Sequence, residues 1–440
     1  MATCIWKGHA PPVAQVDRAA IDTGTTWANN DTVTFTINSK TVTHTLTTEA
    51  NNHATILTNA AVTLNASTIP EFAEITWANY GDTHIQGTVD TAGKPVTHGT
   101  VTNTTAGDGA FGQFANVTAN SGPYCADTAV NWSTGATPAN TNDIIFENSK
   151  VPCKYGLDFS TIQPNSITKR QSFTGEIGLP RMNVDAGDDA DNRYVEYREQ
   201  SLKFAGTAAQ ETATSVDIGE GEGTGSGRVK IDMTTANTNF TIHNKGQRAE
   251  TGIPCVLLKG TNTLNTLKII KGDVGVAFFG GDTSNLSGGI DIGYKDSVLG
   301  DSELVCGSGV TLGNIDQTGG KTDFDLTTAA VTTADLRAGE LTLRGDTNGI
   351  TTFNVTGGKC IDMGGSGTIA TLNVSGPGDY DHTKSMTART ITNVELFKGA
   401  AYRDPHGVVT ETNDIDLNQC KLSDVTIEKP AHKTVAFSAV

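Results

Sequence analysis

A mainly β chain is predicted, a right-handed parallel β-helix (solenoid) preceded by a small α/β module, and three observations point to it. From Val216 onward, apolar-x-apolar pairs recur about once per coil: Val216/Ile218, Phe240/Ile242, Leu267/Ile269, Ile290/Ile292, Val310/Leu312, Leu341/Leu343, Leu372/Val374, Val394/Leu396 and Val425/Ile427. Their first members lie 24, 27, 23, 20, 31, 31, 22 and 31 residues apart, which suits short strands that each bury one face between turns. Four copies extend to apolar-x-x-apolar-x-apolar, at Leu264/Leu267/Ile269, Ile369/Leu372/Val374, Ile391/Val394/Leu396 and Leu422/Val425/Ile427. The composition agrees: 36% of the 440 residues are hydrophobic and 18% charged, with 49 glycines, so strands and turns dominate. Leu267, Leu372 and Val394 are expected to stack inward, nearly fully buried, with coils about 4.8 Å apart. A set of antiparallel sandwiches is the competing fold.

The elements follow in order. Residues 1–20 read as an extended arm, because Trp6 and the Pro11-Pro12 pair suit a segment lying on a neighbour. Residues 21–105 form the α/β module. In it Val33, Phe35 and Ile37 alternate with threonines, Asn38-Ser39 make a turn, and Val42, His44 and Leu46 return as the second strand of a hairpin. Leu57, Ala60, Ala61 and Leu64 then share one helical face that ends before Pro70. Two strands follow, around Phe72 to Trp77 and Asp82 to Val89. Residues 106–130, rich in Gly, Asn and Thr, read as a linker. The β-helix takes 131–440. Trp132 either covers the open end of the first coil or is an ordinary core residue of a loop; both accounts stand. Asp185 to Asn192 and Gly219 to Gly227 are expected to project as loops.

A formal charge of −17 and a pI near 4.9 repel phosphates, so nucleic acid and anionic membranes are not expected partners. The N-terminus lacks a basic start followed by an apolar run, and no apolar run of about 18 residues occurs, so the chain is expected to be neither conventionally secreted nor membrane-spanning. Seven scattered cysteines (Cys4, Cys125, Cys153, Cys255, Cys306, Cys360, Cys420) without C-x-x-C fit reduced thiols, mostly small core residues; Cys4 is the candidate for a bridge between subunits.

Asp22 to Trp27, the hairpin Val33 to Leu46, the run Asn65-Ala66-Ser67-Thr68-Ile69-Pro70-Glu71-Phe72-Ala73-Glu74-Ile75, and the stretch from Asn131 through Tyr155-Gly156-Leu157-Asp158 to Thr174-Gly175-Glu176-Ile177-Gly178-Leu179-Pro180 resemble the N-terminal part of a family of tailed-bacteriophage and prophage virion proteins. The resemblance covers about the first 180 residues. It implies a structural component of a phage particle, assembled in the bacterial cytoplasm and released by lysis, and brings no catalytic residues.

The sequence carries little recognisable chemistry. Gly320-Lys321-Thr322 has Ile315 where a phosphate loop needs Gly, and Ser226 and Ser366 lack the flanks of a nucleophile elbow. His44, His84 and His98 lie on separate strands; either they converge on a metal or pH-sensing cluster, or His44 is a satisfied, half-buried histidine on the Val42/Leu46 face. Asp323/Asp325 and Asp414/Asp416 are i,i+2 pairs roughly 7 Å apart, within the separation for inverting glycoside hydrolysis. The plainer account is a solvated face, since Phe324, Leu326, Ile415 and Leu417 would point inward, and a glycan site needs more aromatic platforms than a chain with 6% aromatics offers. Asp185 to Asn192 has the oxygen density for calcium without the spacing of a calcium loop.

The expectation is therefore a non-enzymatic virion protein, without cofactor or metal, that decorates or projects from the capsid. Ile5, Trp6, Pro11 and Pro12 are its expected capsid or subunit contacts, the major capsid protein its partner and a homotrimer its assembly. Deleting residues 1–20 is expected to abolish attachment without loss of thermal stability. A tail fibre or tailspike binding a host glycan is the first alternative, and a bacterial adhesin of autotransporter type the second.

Overall fold

The computed structural model describes residues 2–49, 52–180, 198–206, 212–221, 227–243, 252–293, 302–327, 330–345, 349–431 and 436–438. The repeated strands stack as a parallel β-solenoid of about 11 turns. One long sheet runs from Thr3–Ile5 and Asp143–Phe146 to Ile415–Leu417 and Phe437–Ser438, and a second from Asp158–Phe159 to Thr426–Glu428. Neighbouring strands in both are parallel and in register, so each inward side chain meets its counterpart one rung away. Ile242, Ile269, Ile292, Gln317, Leu336, Val355, Val374, Leu396 and Leu417 form one such column. Leu267, Leu372 and Val394 are inward and essentially unexposed, as expected.

The apolar pairs do not all lie on one sheet, and this explains their uneven spacing. Val310–Leu312 pairs with Ser284–Leu286 in a small ladder of its own, whereas Leu341 and Leu343 belong to the second sheet. Between Ile290 and Leu372 the first sheet instead passes through Ile315, Ala334 and Phe353, with steps of 334 − 315 = 19, 353 − 334 = 19 and 372 − 353 = 19 residues. Val425 and Ile427 are only half-buried, around the second-sheet strand Thr426–Glu428. The longer signature holds at Ile369 and Ile391, which join Val331 and Ile350 in a buried column. It fails at Leu264 and Leu422, which are 62% and 53% exposed.

The N-terminal module is two antiparallel sheets with a helix against them. Thr32–Ile37 pairs with Lys40–Thr45 across a two-residue loop and with His98–Thr104 on its other edge. Asn38 has φ of 56°, the left-handed conformation such a tight turn requires and that Asn tolerates. The helix His53–Asn65 is capped by Asn52, whose side chain accepts from Thr55 N at 3.1 Å, and buries Ile56, Leu57, Ala60, Ala61 and Leu64. Phe72 falls in a short helical turn, Pro70–Ala73, so the next strands are Ile75–Tyr80 and His84–Val89.

The expected boundaries need correction at both ends of the module. Val16–Ala20 is an interior strand of the second antiparallel sheet, between His84–Val89 and Ala115–Thr118. The supposed arm and linker thus each supply a strand. Residues 3–5 form the first rung of the solenoid, paired with Asp143–Phe146. Trp6 follows with its ring enclosed between Trp132, at 5.2 Å between centroids and 70°, and Phe146, at 6.2 Å. Its indole N–H donates to Val151 O at 2.9 Å, and that of Trp132 to Ala126 O at 2.7 Å. Both tryptophans therefore close the end of the coil stack. An open rung would expose its hydrophobic interior, so Trp6→Ala is expected to cost about 3–5 kcal/mol, read as a lowered denaturant midpoint. Deleting residues 1–20 removes this cap and an interior strand together, so it lowers stability rather than sparing it.

Candidate functional site

Chain segments from both ends of the module meet in a collar at the closed end of the solenoid. Ala10 N donates to Asn131 Oδ1 at 2.8 Å, Val13 N to Ser121 O at 2.7 Å, and Asn131 Nδ2 to Gly122 O at 2.7 Å. These bonds hold residues 10–13 beside residues 121–131. The arrangement leaves Pro11, Pro12, Val13, Tyr124 and Val130 exposed on the outside, with Val117 exposed on the neighbouring edge strand. Of the four expected contact residues, Pro11 and Pro12 lie on this surface. Ile5 is half-buried in the first rung, and Trp6 is 1% exposed and cannot reach a neighbour. Cys4 is likewise buried, its thiol donating to Asn142 Oδ1 at 3.3 Å.

A cavity of about 520 Å³ lies where the module meets the solenoid. One wall comes from the loop before His98–Thr104, the other from Asp127, Tyr155–Asp158 and Arg198–Glu199. Arg198 ties the walls together: it pairs with Glu74 at 2.5 Å and donates to Pro95 O, while Lys94 meets Glu74 at 2.7 Å. His98 is fixed at the rim of this arrangement. Its ring stacks on Phe114 at 4.1 Å, and its Nε2 contacts Asp17 Oδ2 at 3.1 Å. Asp17 also accepts from Gln15 Nε2 at 2.6 Å and Asn116 Nδ2 at 2.8 Å. The other ring nitrogen, Nδ1, is buried and has no hydrogen-bond partner among the described residues. Nothing in the sequence spacing announced the cavity, because its groups come from five distant segments.

The three histidines do not converge. His44 is buried between Thr63 Oγ1 at 3.0 Å and Glu49 Oε1 at 3.1 Å; burial lowers its pKa, against the pull of Glu49. His84 contacts Thr83 Oγ1 instead, at 2.8 Å. Among the described residues no group of three or more His, Cys, Asp or Glu side chains could hold a metal. The Asp185 to Asn192 segment lies outside the described residues. So do residues 222–226 of the glycine-rich insertion.

Both acid pairs lie on outward faces, with Phe324, Leu326, Ile415 and Leu417 buried beneath them. Asp323 accepts from Arg344 Nε at 2.6 Å, and Asp325 from Thr327 Oγ1 at 2.6 Å. What the sequence did not reveal is a continuous polar column on the first sheet: Lys268, Asp291, Asp316, Asp335, Asn354, Asn373, Glu395 and Asp416, stacked in register. Asn354 donates to Asp335 and Asn373 to Asn354, both at 2.7 Å. Asp316 stands between two carboxylates. Burial raises its pKa, Arg337 at 3.1 Å opposes this, and Asp291 and Asp335 add to it. A carboxyl with a raised folded pKa destabilises above that pKa and is relieved as pH falls through it. Asp316→Asn is thus expected to raise the melting temperature slightly at neutral pH and low salt, with the gain vanishing in acid.

No helix among the described residues is long and apolar enough to cross a membrane. Compared with family models, curated proteins and solved structures, the chain matches none.

Proposed function

We propose that this protein is a non-enzymatic structural component of a tailed-bacteriophage particle, held at its collar end and projecting the solenoid outward from the capsid. The observation that carries the reading is the collar: Pro11, Pro12, Val13, Val117, Tyr124 and Val130 are exposed there, whereas the columns along the first sheet face solvent with Thr, Asn, Asp and Glu. Apolar side chains gathered at the end of a rod whose first-sheet columns are polar suit docking. The resemblance of the first 180 residues to virion proteins supports the same assignment, with the major capsid protein as partner and a homotrimer as the assembly. The acidic charge suits a place away from packaged DNA.

The experiment replaces Val13, Val117 and Val130 together with Asp, all at exposed positions where folding should survive. The variant is expected to stay folded but to disappear from purified particles. If it co-purifies with particles as the parent does, the collar is not the attachment surface. Loss of adsorption to host cells by particles that still carry the variant would instead support the tail-fibre or tailspike alternative, in which this end binds a host glycan.

A further inference from the structure

We propose that His382 is a proton-operated fastener of the distal solenoid: its protonated ring completes a buried ladder of alternating charge, and loss of that proton as pH rises loosens the rungs around it. Beyond Leu343, one inward column of the second sheet turns ionisable. Ile361, Asp381, Arg403 and Glu428 are direct partners on successive rungs, and the residues that follow them are Asp362, His382, Asp404 and Lys429. His382 thus stands between two carboxylates. All three are unexposed. Lys429 meets Asp404 at 3.0 Å and Glu411 at 2.6 Å, while Arg389 and Tyr380 donate to Asp362, and Tyr402 to Glu411. Three carboxylates, Asp362, Asp404 and Glu411, therefore share two cations, Arg389 and Lys429. A protonated His382 supplies the third, which matters because unbalanced buried charge is costly.

The hydrogen bonds of the ring fix which nitrogen titrates. Its Nε2 lies 2.8 Å from Thr387 O, and a carbonyl only accepts, so Nε2 carries a hydrogen in either charge state. The titrating atom is Nδ1. It is buried without a hydrogen-bond partner among the described residues and stands 3.8 Å from Asp362 Oδ2. A neutral ring aims a lone pair at a carboxylate oxygen there, and protonation turns that repulsion into attraction. The same ring pins the turn after it, which Ser385 Oγ also ties down by donating to Met363 O at 2.6 Å. On the outward side, Lys359 answers Asp381 at 2.5 Å and Arg403 answers Asp379 at 2.9 Å. Burial keeps Cys360, Tyr380 and Tyr402 uncharged. His406 is exposed and gives its Nε2 hydrogen to Thr383 O at 3.0 Å. Burial disfavours a charged His382, but Asp362, Thr387 O and Asp404 outweigh it and raise its pKa above the ordinary value. Such a group stabilises fully below its unfolded pKa, about 6.5, and the contribution is lost as pH rises through the folded one.

The test is hydrogen exchange on the full chain between about pH 6 and 9, corrected for intrinsic exchange rates. In the parent, protection of Asp379–Asp381 and Ala401–Arg403 is expected to fall several-fold as pH rises, while Thr266–Ile269, far along the rod, stays constant. His382→Gln keeps an N–H for Thr387 O but cannot charge. It is expected to start with the lower protection at the acid end and to show no slope. His382→Asn, equally uncharged, serves should the glutamine variant misfold. A parent profile flat with pH would overturn the proposal. So would a slope that survives in the variant, which would assign the effect to His406 or to the chain as a whole.

Discussion

Leu372→Asp is expected to destroy the packing of the rungs around it. Leu372 is unexposed and sits in register between Phe353 and Val394, so a carboxylate there is buried without a partner and displaces apolar contacts on both sides. The expected loss is about 4 kcal/mol or more, the range reserved for such mechanisms. Because solenoid rungs contact only their neighbours, the damage should be local. Hydrogen exchange should show lost protection in Ile350–Val355, Thr368–Val374 and Arg389–Leu396, with the N-terminal module unchanged. Thr371→Asp, on the outward face of the same strand, is the control and should leave protection intact.

The second large effect comes from a charged clamp through the core. Asp362 is the last residue of its second-sheet strand and Arg389 the first of its first-sheet strand. They meet inside, fully buried, by two bonds: Nε to Oδ2 at 2.8 Å and Nη2 to Oδ1 at 2.7 Å. Tyr380 donates to the same carboxylate, and His382 Nδ1 stands 3.8 Å away. Burial pushes the Asp362 pKa up, but the nearby His382 imidazole and the bonds from Arg389 and Tyr380 outweigh it and hold the pKa well below the usual carboxylate range. A depressed carboxyl pKa contributes stability above its unfolded value and loses it only as pH falls through the folded one, so the clamp should survive mild acid. Arg389→Met strands the carboxylate. The expected loss is roughly 3–5 kcal/mol at neutral pH, shrinking as pH is lowered because Asp362, now without its cation, takes up a proton. A loss that is small, or constant with pH in urea titrations, would contradict this account.

The same residues show why some of the fold was legible and some was not. Inward apolar pairs announce a buried face, and Leu267, Leu372 and Val394 followed from that alone. Which of two sheets a pair serves is decided by turn geometry between strands, and the pattern carries no mark of it; Leu341/Leu343, on the second sheet, therefore reads like the first-sheet pairs. The inward column Val276, Cys306, Phe324 and Leu343 continues to Asp362. A rule that sends charged side chains outward assigns such an Asp to solvent, and its partners, Arg389 from across the core with Tyr380, make burial tolerable. Lys169 is hidden in the same way. It is 3% exposed, its ammonium donates to Phe173 O at 3.1 Å, and burial draws its pKa down to about 8.

Trp6 and the prolines illustrate a second limit. An apolar Trp-then-Pro-Pro segment near a terminus suits docking on another chain as well as on its own. The first rung decides between them, its open end enclosing Trp6 between Trp132 and Phe146. The candidate site was legible only in part: Pro11 and Pro12 remain on the collar beside Val13 of the same segment, while Val117, Tyr124 and Val130 come from residues taken for a linker. The cavity depends on contacts between residues as far apart as Glu74 and Arg198, which no local pattern records.

The rung register is the claim on which the collar, the clamp and the polar column all depend, and short-range thiol crosslinking tests it directly. Thr352 and Thr371 face outward as direct partners on adjacent rungs, about 4.8 Å apart, whereas Thr352 and Asn393 are separated by two rungs. The double variant Thr352→Cys/Thr371→Cys should form an intramolecular link rapidly with a short bifunctional reagent, located by peptide mass spectrometry, and Thr352→Cys/Asn393→Cys should not. Efficient linking of the second pair without the first would contradict the parallel stack with its 19-residue rungs.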